Sequence, residues 1–434
     1  MSGSSRRGGH AGAKSPARKT PARKTPPRRI AVAGGGIAGL ALAAALARAC
    51  PGAIEVVVCD PAFAGERPRD ERAYAIAAAG RRMLEALGAW EAVAPQAQAI
   101  RDMVITDSRL SDPVRPVFLT FDGEAAPGEP FAHMVPGQAL LDALVAVCGE
   151  AGIVFRACSV RRYTADEFGA AARLSDGETI AVDLLAAADG ARSRLREAAG
   201  ISWIAWSYRQ VGIVGTVAHE RDHGGRAIEH FLPSGPFALL PLTPGGPLGH
   251  RSSIVWTERE ADAPRILAMN IEDATEEVER RFGLELGAIT LETPLRGWPL
   301  AFGFARDFVA PRLALIGDAA HVIHPIAGQG LNLALKDVAA LAESVVDAVR
   351  LGMDPGGADV LEEYQRARRF DALAMGAATD GLNRLFSNDA GPVRMIRDLG
   401  LGVVDRLPGL KRFFIREAAG ISRGGPRLLR GERL

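Results

Sequence analysis

The stretch IAVAGGGIAGLALAAALARA, residues 30–49, decides the fold of this 434-residue chain. Its four leading apolar residues predict a buried strand, the glycines predict a tight turn, and the alanine- and leucine-rich remainder predicts a helix. Gly34, Gly36 and Gly39 match G-x-G-x-x-G, which permits the turn, lets a pyrophosphate approach the backbone and lets the helix pack on the strand. The stretch therefore predicts a dinucleotide site at the start of an α/β fold.

A second apolar segment, IEVVVC at residues 54–59, predicts another buried strand, which ends at Asp60. An acidic residue about 20 positions after the glycine pattern accepts hydrogen bonds from the adenosine ribose of a bound dinucleotide. No arginine adjoins Asp60 in the sequence. The pattern therefore favours a nucleotide with a free 2′-hydroxyl over one with a 2′-phosphate.

Two later segments repeat the arrangement of an apolar strand followed by an acid and glycines. The first places Asp189 in the turn ADGARS, although a surface turn of any function explains that segment equally well. The second places Asp318 at the end of the strand in LIGDAAH, where its carboxylate can bond a polyol chain. It continues to PIAGQGLN, residues 325–332, whose glycines expose the backbone at the start of a helix that would stabilise negative charge.

The formal net charge of +1 conceals an uneven distribution of charge along the chain. Residues 1–29 carry nine Lys or Arg side chains, no acid, and enough proline to prevent a helix, so we predict a disordered basic tail. The four cysteines have no C-x-x-C spacing, so neither a metal site nor a disulfide framework is predicted. The apolar run at residues 30–47 contains the glycine turn, so we predict no transmembrane helix.

The rest of the chain predicts an α/β nucleotide-binding part interrupted by β-rich segments. Residues 73–90 are predicted as a helix, residues 208–256 as antiparallel strands, and the chain after Pro355 as helical nearly to its end. The predicted organisation is a disordered tail (1–29), a discontinuous nucleotide-binding domain (30–100, 131–200, 301–380), a β-rich substrate domain (101–130, 201–300) and a helical C-terminal region (381–434).

The three acid-and-glycine segments, in this order, resemble the para-hydroxybenzoate-hydroxylase-like FAD-dependent monooxygenases over about residues 30–380. The resemblance implies a Rossmann-like FAD-binding domain of the GR2 type, interrupted by a β-sheet substrate domain and followed by a C-terminal helical segment. It also implies FAD as the cofactor and NADPH or NADH as a transient reductant, because only one dinucleotide fingerprint is present.

The resemblance also implies roles for individual residues. Arg72 matches an arginine near the pyrophosphate, Gln138 a polar contact to the cofactor, and Asp318 a contact to the ribityl chain. Pro325 and Gln329 belong to the loop that faces the flavin ring, but no catalytic residue can be named. The implied cofactor-binding residues are Gly34, Gly36, Gly39, Asp60, Arg72, Gln138, Asp189, Asp318, Gly328, Gly330 and Leu331; no metal site is implied.

A narrower resemblance, to the ubiquinone-biosynthesis hydroxylases, rests on segments outside the cofactor motifs. They include DERAYAI (70–76), GPFALLP (235–241), HPIAGQG (324–330) and DGLNRLF (380–386). This resemblance implies hydroxylation of the aromatic ring of a polyprenylated phenol by molecular oxygen, through a flavin C4a-hydroperoxide. It also implies a cytoplasmic protein that takes part in a complex with other proteins of ubiquinone biosynthesis, with no specific nucleic-acid partner.

Several alternatives stay open at this point. A flavin halogenase is not favoured. Such an enzyme requires a W-x-W-x-I-P motif and an active-site lysine, and the stretch WIAW at residues 203–206 does not match that motif. A flavin-dependent reductase of an isoprenoid substrate, another aromatic-ring hydroxylase of the same fold, and a non-enzymatic FAD-binding subunit share the cofactor motifs. His321 and His324 are interpreted as hydrogen-bonded structural groups in preference to catalytic bases.

Residues 381–434 carry eleven Lys or Arg against five acids, interleaved with apolar side chains. Such a surface can lie peripherally on the inner face of an anionic membrane, where a polyprenylated substrate dissolves. A helix packed on the protein's own body or on a partner subunit, with a solvated basic face, explains the same pattern equally well.

Overall fold

The strand and helix predicted from residues 30–49 are the first two elements of a computed structural model. It describes residues 3, 26–65, 67, 69–107, 117–122, 124–387, 419–420 and 424–434. Strand β1 (Arg28–Ala33) begins two residues earlier than predicted, inside the range assigned to the basic tail. The reason is that Arg28 and Arg29 pair with the next strand and contact Asp183 and Glu55. The rest of the predicted tail lies largely outside the described residues.

The first sheet has five parallel strands and one antiparallel edge strand, in the order β10-β2-β1-β14-β22-β21. Its further strands are β2 (Ile54–Cys59), β10 (Val154–Arg156), β14 (Leu184–Ala187), β21 (Val309–Ala310) and β22 (Leu313–Leu315). Strand β14 and the last four residues of β1 are wholly apolar and buried, as expected for a parallel sheet that is covered on both faces.

Long helices pack around this parallel sheet. They are α1 (Ile37–Ala49), α4 (Gly137–Glu150), α8 (Gln329–Arg350) and α9 (Ala358–Phe386). The first helix contacts α4 and α8, and its small alanine and glycine side chains allow this close approach. The parallel sheet and its helices confirm the predicted α/β fold class.

A second, nine-stranded sheet follows the order β23-β20-β15-β18-β17-β16-β5-β6, with β19 paired to β15. Its strands are β5 (Asp102–Asp107), β6 (Val117–Asp122), β15 (Trp203–His219), β16 (Arg226–Leu232), β17 (Gly235–Leu242), β18 (His250–Arg259), β19 (Ile289–Leu291), β20 (Arg296–Ala305) and β23 (His321–Val322). Strands β20 and β23 extend this sheet beyond residue 300, into the range predicted for the nucleotide-binding domain.

One face of the second sheet is covered by α6 (Ala263–Leu267) and α7 (Ile271–Phe282). Ile213, Phe237, Ile254 and Trp256 project from the strands into this apolar layer. Because side chains alternate along a strand, the intervening residues point to the opposite face of the second sheet, towards the first domain, which contains the parallel sheet and its helices.

Three small sheets complete the described strands. They contain β3 (Ala73–Ala77), β9 (Ala132–Pro136) and β4 (Gln98–Ile100); β11 (Val160–Ala165), β12 (Ala170–Leu174) and β13 (Thr179–Val182); and the hairpin β7 (Glu124–Ala126) and β8 (Glu129–Pro130). The short helices are α2 (Ala78–Ala86), α3 (Trp90–Val93) and α5 (Arg194–Ala198).

The predicted helix over residues 73–90 is wrong at its beginning. Residues 73–77 form β3 because their backbone pairs with β9, which satisfies their hydrogen bonds outside any helix. Tertiary pairing thus overrides the helical preference of this alanine-rich segment. The helix that follows, α2, begins only at Ala78.

The end of the chain is described only in part. The helix α9 runs without interruption to Phe386, and a single 3₁₀ turn (Arg427–Arg430) packs near α2 and α8 through buried Leu428 and Leu429. Most of the predicted C-terminal helical region, including its basic apolar stretch, lies outside the described residues. Within the part that is described, no helix combines the length and the apolar character needed to span a membrane.

Candidate functional site

The glycine turn between β1 and α1 tolerates a side chain at only one of its three patterned positions. Gly34 has a φ of +113°, and a Cβ atom there would overlap the carbonyl oxygen of Ala188. A Cβ atom at Gly39 would overlap the carbonyl oxygen of Gly34. Gly36, in contrast, has no atom within 4 Å of the place where a Cβ would lie. The turn therefore leaves open space in front of Gly36, where the pattern predicts the pyrophosphate.

Asp60 lies directly beside this turn. Its Oδ2 accepts a 2.7 Å hydrogen bond from the backbone N–H of Gly35, and its Oδ1 accepts one of 2.8 Å from Ala62. The carboxylate thus links the ends of β1 and β2. It also stands at the carboxyl edge of the sheet, where dinucleotides bind in folds of this type.

Sequence reasoning missed Arg67, whose guanidinium donates a 2.9 Å hydrogen bond to the carbonyl oxygen of Gly35. The same group lies over the ring of Phe63, 4.4 Å from its centre, and its buried Nε has no hydrogen-bond partner. Arg67 therefore brings a positive charge to the glycine turn. The only signal in the sequence was the group of arginines close to Arg72, and their spacing did not show which of them reaches the glycine turn.

Arg72 and Gln138 meet around Asp70. Arg72 makes a two-point contact with the Asp70 carboxylate at 2.9 and 3.0 Å, and Gln138 accepts a 3.1 Å hydrogen bond from the Asp70 backbone N–H. Burial opposes the ionisation of Asp70, but the hydrogen bonds from Arg72 and Tyr74 outweigh it and lower its pKa. The structure therefore brings Arg72 and Gln138 together, although they are far apart in the sequence.

Asp189 is held by its own turn. Its Oδ2 accepts a 3.0 Å hydrogen bond from the backbone N–H of Arg194, while its buried Oδ1 has no partner. Nearby, Arg196 donates to the carbonyl oxygens of Ala191 and Ala319, both at 2.9 Å. This arginine, which sequence reasoning also missed, connects the Asp189 turn to the segment that carries Asp318.

Asp318 is exposed, yet burial raises its pKa against the opposing influence of His321 and Arg72. A side chain that is both reachable by solvent and surrounded by protein lies on the floor of a cleft. The residue sits in a 3₁₀ turn (Gly317–Ala319) after β22, and Gly317 adopts a φ of +58°.

A buried ionic network lies beneath this turn. The fully buried carboxylate of Asp337 accepts hydrogen bonds from the Gly317 backbone at 3.0 Å, from His321 at 2.6 Å and from Arg368 at 2.9 Å. Burial opposes the ionisation of Asp337, but the charges of His321 and Arg368 lower its pKa overall. Sequence reasoning did not find this network, because Asp337 and Arg368 lie within helices whose apolar pattern gives no hint of it.

The loop that carries Pro325, Gly328, Gln329 and Gly330 leads into α8. Gly328 has a φ of +64°, and a Cβ atom there would lie 3.0 Å from the Cβ of Ala75. A Cβ atom at Gly330 would meet nothing within 4 Å. Asn332 fixes the loop by donating to the carbonyl oxygens of Ala75 and Gly328, at 2.8 and 3.2 Å.

The two histidines of this region differ. His321 is a hydrogen-bonded structural group, as expected, because it pairs with Asp337. His324 does not fit that interpretation: it is fully buried, neither ring nitrogen has a hydrogen-bond partner, and its ring meets Tyr208 edge-on with centres 5.1 Å apart. Burial lowers the pKa of His324 to about 4, so the ring is neutral at physiological pH.

The segments that carry Gly36, Asp60, Asp189 and Asp318 follow β1, β2, β14 and β22 respectively, so they share one edge of the parallel sheet. They form a groove with open space before Gly36 and Gly330, an acid at Asp318 and unpartnered buried polar atoms on Asp189 and His324. Open backbone, an accessible acid and unused hydrogen-bonding atoms fit an elongated dinucleotide cofactor such as FAD. Among the described residues, no group of three potential ligands could hold a metal ion.

Comparisons with known proteins identify the family of the chain. Residues 28–377 match the model of the FAD binding domain family. The chain is 44% identical to a ubiquinone hydroxylase of Rhodospirillum rubrum, over 93% of this chain and 92% of that protein. It is 34% identical to the 3-demethoxyubiquinol 3-hydroxylase of Escherichia coli, over 90% and 98% of the two chains. The crystal structure of p-nitrophenol 4-monooxygenase from Pseudomonas putida superposes with a TM-score of 0.72 at 18% identity, over 92% of this chain and 99% of that one.

Proposed function

Because the chain belongs to the FAD-binding-domain monooxygenases, in the branch of the ubiquinone-biosynthesis hydroxylases, we propose that it hydroxylates the aromatic ring of a polyprenylated phenol. The protein is a flavin-dependent monooxygenase that binds FAD. The observation that carries the substrate assignment is the 44% identity to a ubiquinone hydroxylase across almost the full length of both chains. Molecular oxygen is the second substrate, and NADPH or NADH is the electron donor.

In this proposal the chain's residues hold the cofactor along the edge of the parallel sheet. Gly34, Gly36, Gly39 and Asp60 surround the ADP half, with the N-terminus of α1 facing the phosphates. Arg72 would have to exchange its contact with Asp70 for one with the pyrophosphate, whereas Arg67 already stands at the turn.

The second half of the groove would receive the other end of the cofactor. Asp318 would accept hydrogen bonds from the ribityl hydroxyls, and the backbone from Gly328 to Leu331, at the N-terminus of α8, would face the flavin ring. That helix end favours the negative charge of a reduced flavin. Bound FAD would supply the activation of oxygen, while the protein orients the phenol and excludes water.

The test is made on the purified, FAD-loaded protein with a short-chain prenylated phenol. We expect NAD(P)H oxidation and oxygen uptake to rise with the phenol, and a product heavier by one oxygen atom to form. A yellow protein that reduces the substrate, or that leaves oxygen uptake unchanged, would contradict the proposal. The first of these outcomes would favour a flavin-dependent reductase.

We also propose that the protein acts at the inner face of the membrane, within reach of a membrane-dissolved substrate and of other proteins of the pathway. Two exposed apolar side chains on one side of α9 support this proposal: Phe370 is 79% exposed and Leu373 45%. The test is co-sedimentation with anionic vesicles, in which Phe370→Ser should weaken binding. Phe168→Ser serves as the control, because Phe168 is 81% exposed in the turn between β11 and β12.

A further inference from the structure

Glu229 is a buried carboxyl group on the face of the second sheet that points towards the first domain. It lies in β16 and is 4% exposed. Its neighbours in the strand, Ile228 and Leu232, contact the apolar layer under α6 and α7 on the other face. Alternation along the strand therefore directs Glu229, with Ala227 and Phe231, away from that layer.

The surroundings of Glu229 connect it to the flavin-facing loop. Ala227, two residues earlier on the same face, packs in one cluster with Ala75, which is the residue that meets Gly328. Phe231, two residues later, stacks on Phe386 of α9 with ring centres 4.0 Å apart. On this face of β16, Glu229 therefore lies between Ala227, which packs in the cluster of Ala75, and Phe231, which stacks on the end of α9.

Among the described residues, no side chain or backbone group donates a hydrogen bond to the Glu229 carboxyl. Its register partners on the two adjacent strands carry small or apolar side chains, Ala238 in β17 and Ile105 in β5. Burial alone raises the pKa of Glu229 to about 7, since no described charged group contributes.

A second buried glutamate of this sheet shows the contrast. Glu258, on β18, lies 3.4 Å from Arg281 and accepts a 3.3 Å hydrogen bond from Trp256. Leaving a buried polar group without a partner costs on the order of 1–3 kcal/mol. Carboxyl groups with strongly perturbed pKa values in a cleft are often functional. A substrate hydroxyl would supply the partner that Glu229 lacks.

We propose that Glu229 binds the ring hydroxyl of the phenol and moves its proton during hydroxylation. This inference rests on the proposed function. The carboxylate takes the proton of the ring hydroxyl, which raises the electron density of the ring, as a ring carbon bonds to one atom of molecular oxygen and the bond between the two oxygen atoms breaks. Glu229 returns that proton to the phenol oxygen when the ring carbon loses its hydrogen as a proton and the ring becomes aromatic again. The other oxygen atom leaves as water; NAD(P)H supplies two electrons and one hydrogen, and the ring proton and one solvent proton supply the remaining hydrogens of the water and the new hydroxyl.

The experiment uses the FAD-loaded full chain with 2-prenylphenol and its O-methyl ether as probes. For Glu229→Gln we expect hydroxylation to fall by about 100-fold, within the range for loss of an acid–base group. NAD(P)H oxidation should continue, with hydrogen peroxide released in place of the hydroxylated product. In binding titrations, wild type should prefer the phenol over the ether, and the variant should lose that preference.

The pH profile and two further variants complete the test. Wild-type hydroxylation should rise with pH through about 7, and Glu229→Gln should lack this limb. Glu229→Asp should keep the limb, which preserves the test if the Gln variant fails to fold. Glu258→Gln is the matched control: it should lower the unfolding temperature while the ratio of product to NAD(P)H stays at the wild-type value.

The outcomes separate the inference from the proposed function. A wild-type protein that does not hydroxylate any prenylated phenol would refute the proposed function itself. A wild-type hydroxylase whose Gln variant retains the product ratio and the pH profile would refute the role of Glu229 alone. A wild-type profile without a limb near pH 7 would also overturn that role.

Discussion

His321 Nε2 lies 2.6 Å from Oδ2 of Asp337, a fully buried pair beneath the turn that presents Asp318 to the cofactor groove. The same carboxylate oxygen accepts the backbone N–H of Gly317 at 3.0 Å. One buried acid in α8 therefore sets both the position of the turn and the orientation of the histidine. The exposed Asp318, which we propose as a contact of the cofactor, thus depends on an interior residue 19 positions later in the chain.

Asp337→Asn should destabilise the protein and weaken FAD binding. The substitution removes the buried carboxylate that His321 and Arg368 contact, and Arg368 keeps only the partly exposed Asp371, at 2.6 Å. Removing one partner of a buried ion pair typically costs about 3–5 kcal/mol. Urea unfolding and the flavin content of the purified protein measure the two effects. Asp347→Asn is the control on the same helix, because the side chain of Asp347 is 48% exposed and its pairing with Arg427 is worth at most about 1 kcal/mol. Equal losses in both variants would contradict the prediction.

Asp318→Ala should lose affinity for FAD without loss of folding. A hydrogen bond to a charged group contributes about 1.5–3 kcal/mol, so the dissociation constant should rise roughly 10- to 100-fold. Quenching of flavin fluorescence during titration of the apoprotein measures this constant. Asp307→Ala, at an exposed acid after β20, should bind FAD like wild type. Retention of flavin at wild-type stoichiometry and affinity in Asp318→Ala would refute its assigned role.

Gly34→Ala and Gly36→Ala should fail for different reasons. Alanine at Gly34 must adopt a φ of +113° and collide with Ala188, so we expect a loss of stability of more than about 3 kcal/mol. Alanine at Gly36 meets nothing in the protein, so the apoprotein should unfold like wild type while FAD binding weakens. Thermal unfolding of the apoproteins and flavin titration distinguish the two. An apo Gly36→Ala protein as unstable as Gly34→Ala would show that the open space is not reserved for a ligand.

Stability should fall as the pH decreases from about 6.5 towards 4. Burial lowers the pKa of His324 to about 4, so the unfolded chain binds a proton in this range that the folded protein does not. The penalty is absent above the unfolded pKa and grows by about 1.4 kcal/mol for each pH unit below it. When urea unfolding is measured between pH 4 and 7, the free energy of unfolding should depend less steeply on pH in His324→Asn than in wild type.

His133 provides the comparison for this pH dependence, because burial lowers its pKa to about 4 as well. His133→Asn should remove a second part of the pH dependence of the unfolding free energy, and the double variant should remove both parts. An unchanged slope in His324→Asn would mean that the ring gains a proton and a partner in the folded protein. That result would contradict the neutral, unpartnered ring described above.

Local sequence patterns predicted those structural elements whose conformation depends only on residues close to them in the chain. The turn at Gly34 and the placement of acids at Asp60, Asp189 and Asp318 follow from apolar strands that end in glycine-rich turns. These features depend on backbone geometry within a few residues, so a single sequence contains them. Whether the predicted residues contact FAD stays a prediction that the flavin titrations address.

The sequence could not show which residues meet across the fold. The strand at Ala73–Ala77 forms because β9 lies beside it, although its residues favour a helix. Arg67 and Arg196 look like ordinary surface arginines until the chain brings them to backbone carbonyls of the groove. In each case the deciding partner lies tens to more than a hundred residues away.

By itself, then, the sequence determined the parallel sheet, the glycine turn and the acidic strand ends, because strand and turn preferences act over short stretches of backbone. Only the tertiary structure decided that Asp337 supports the Asp318 turn and that Glu229 is buried without a partner on the face towards the cofactor groove. The ionisation and hydrogen bonding of a side chain depend on everything packed around it. That environment exists only after distant segments have come together.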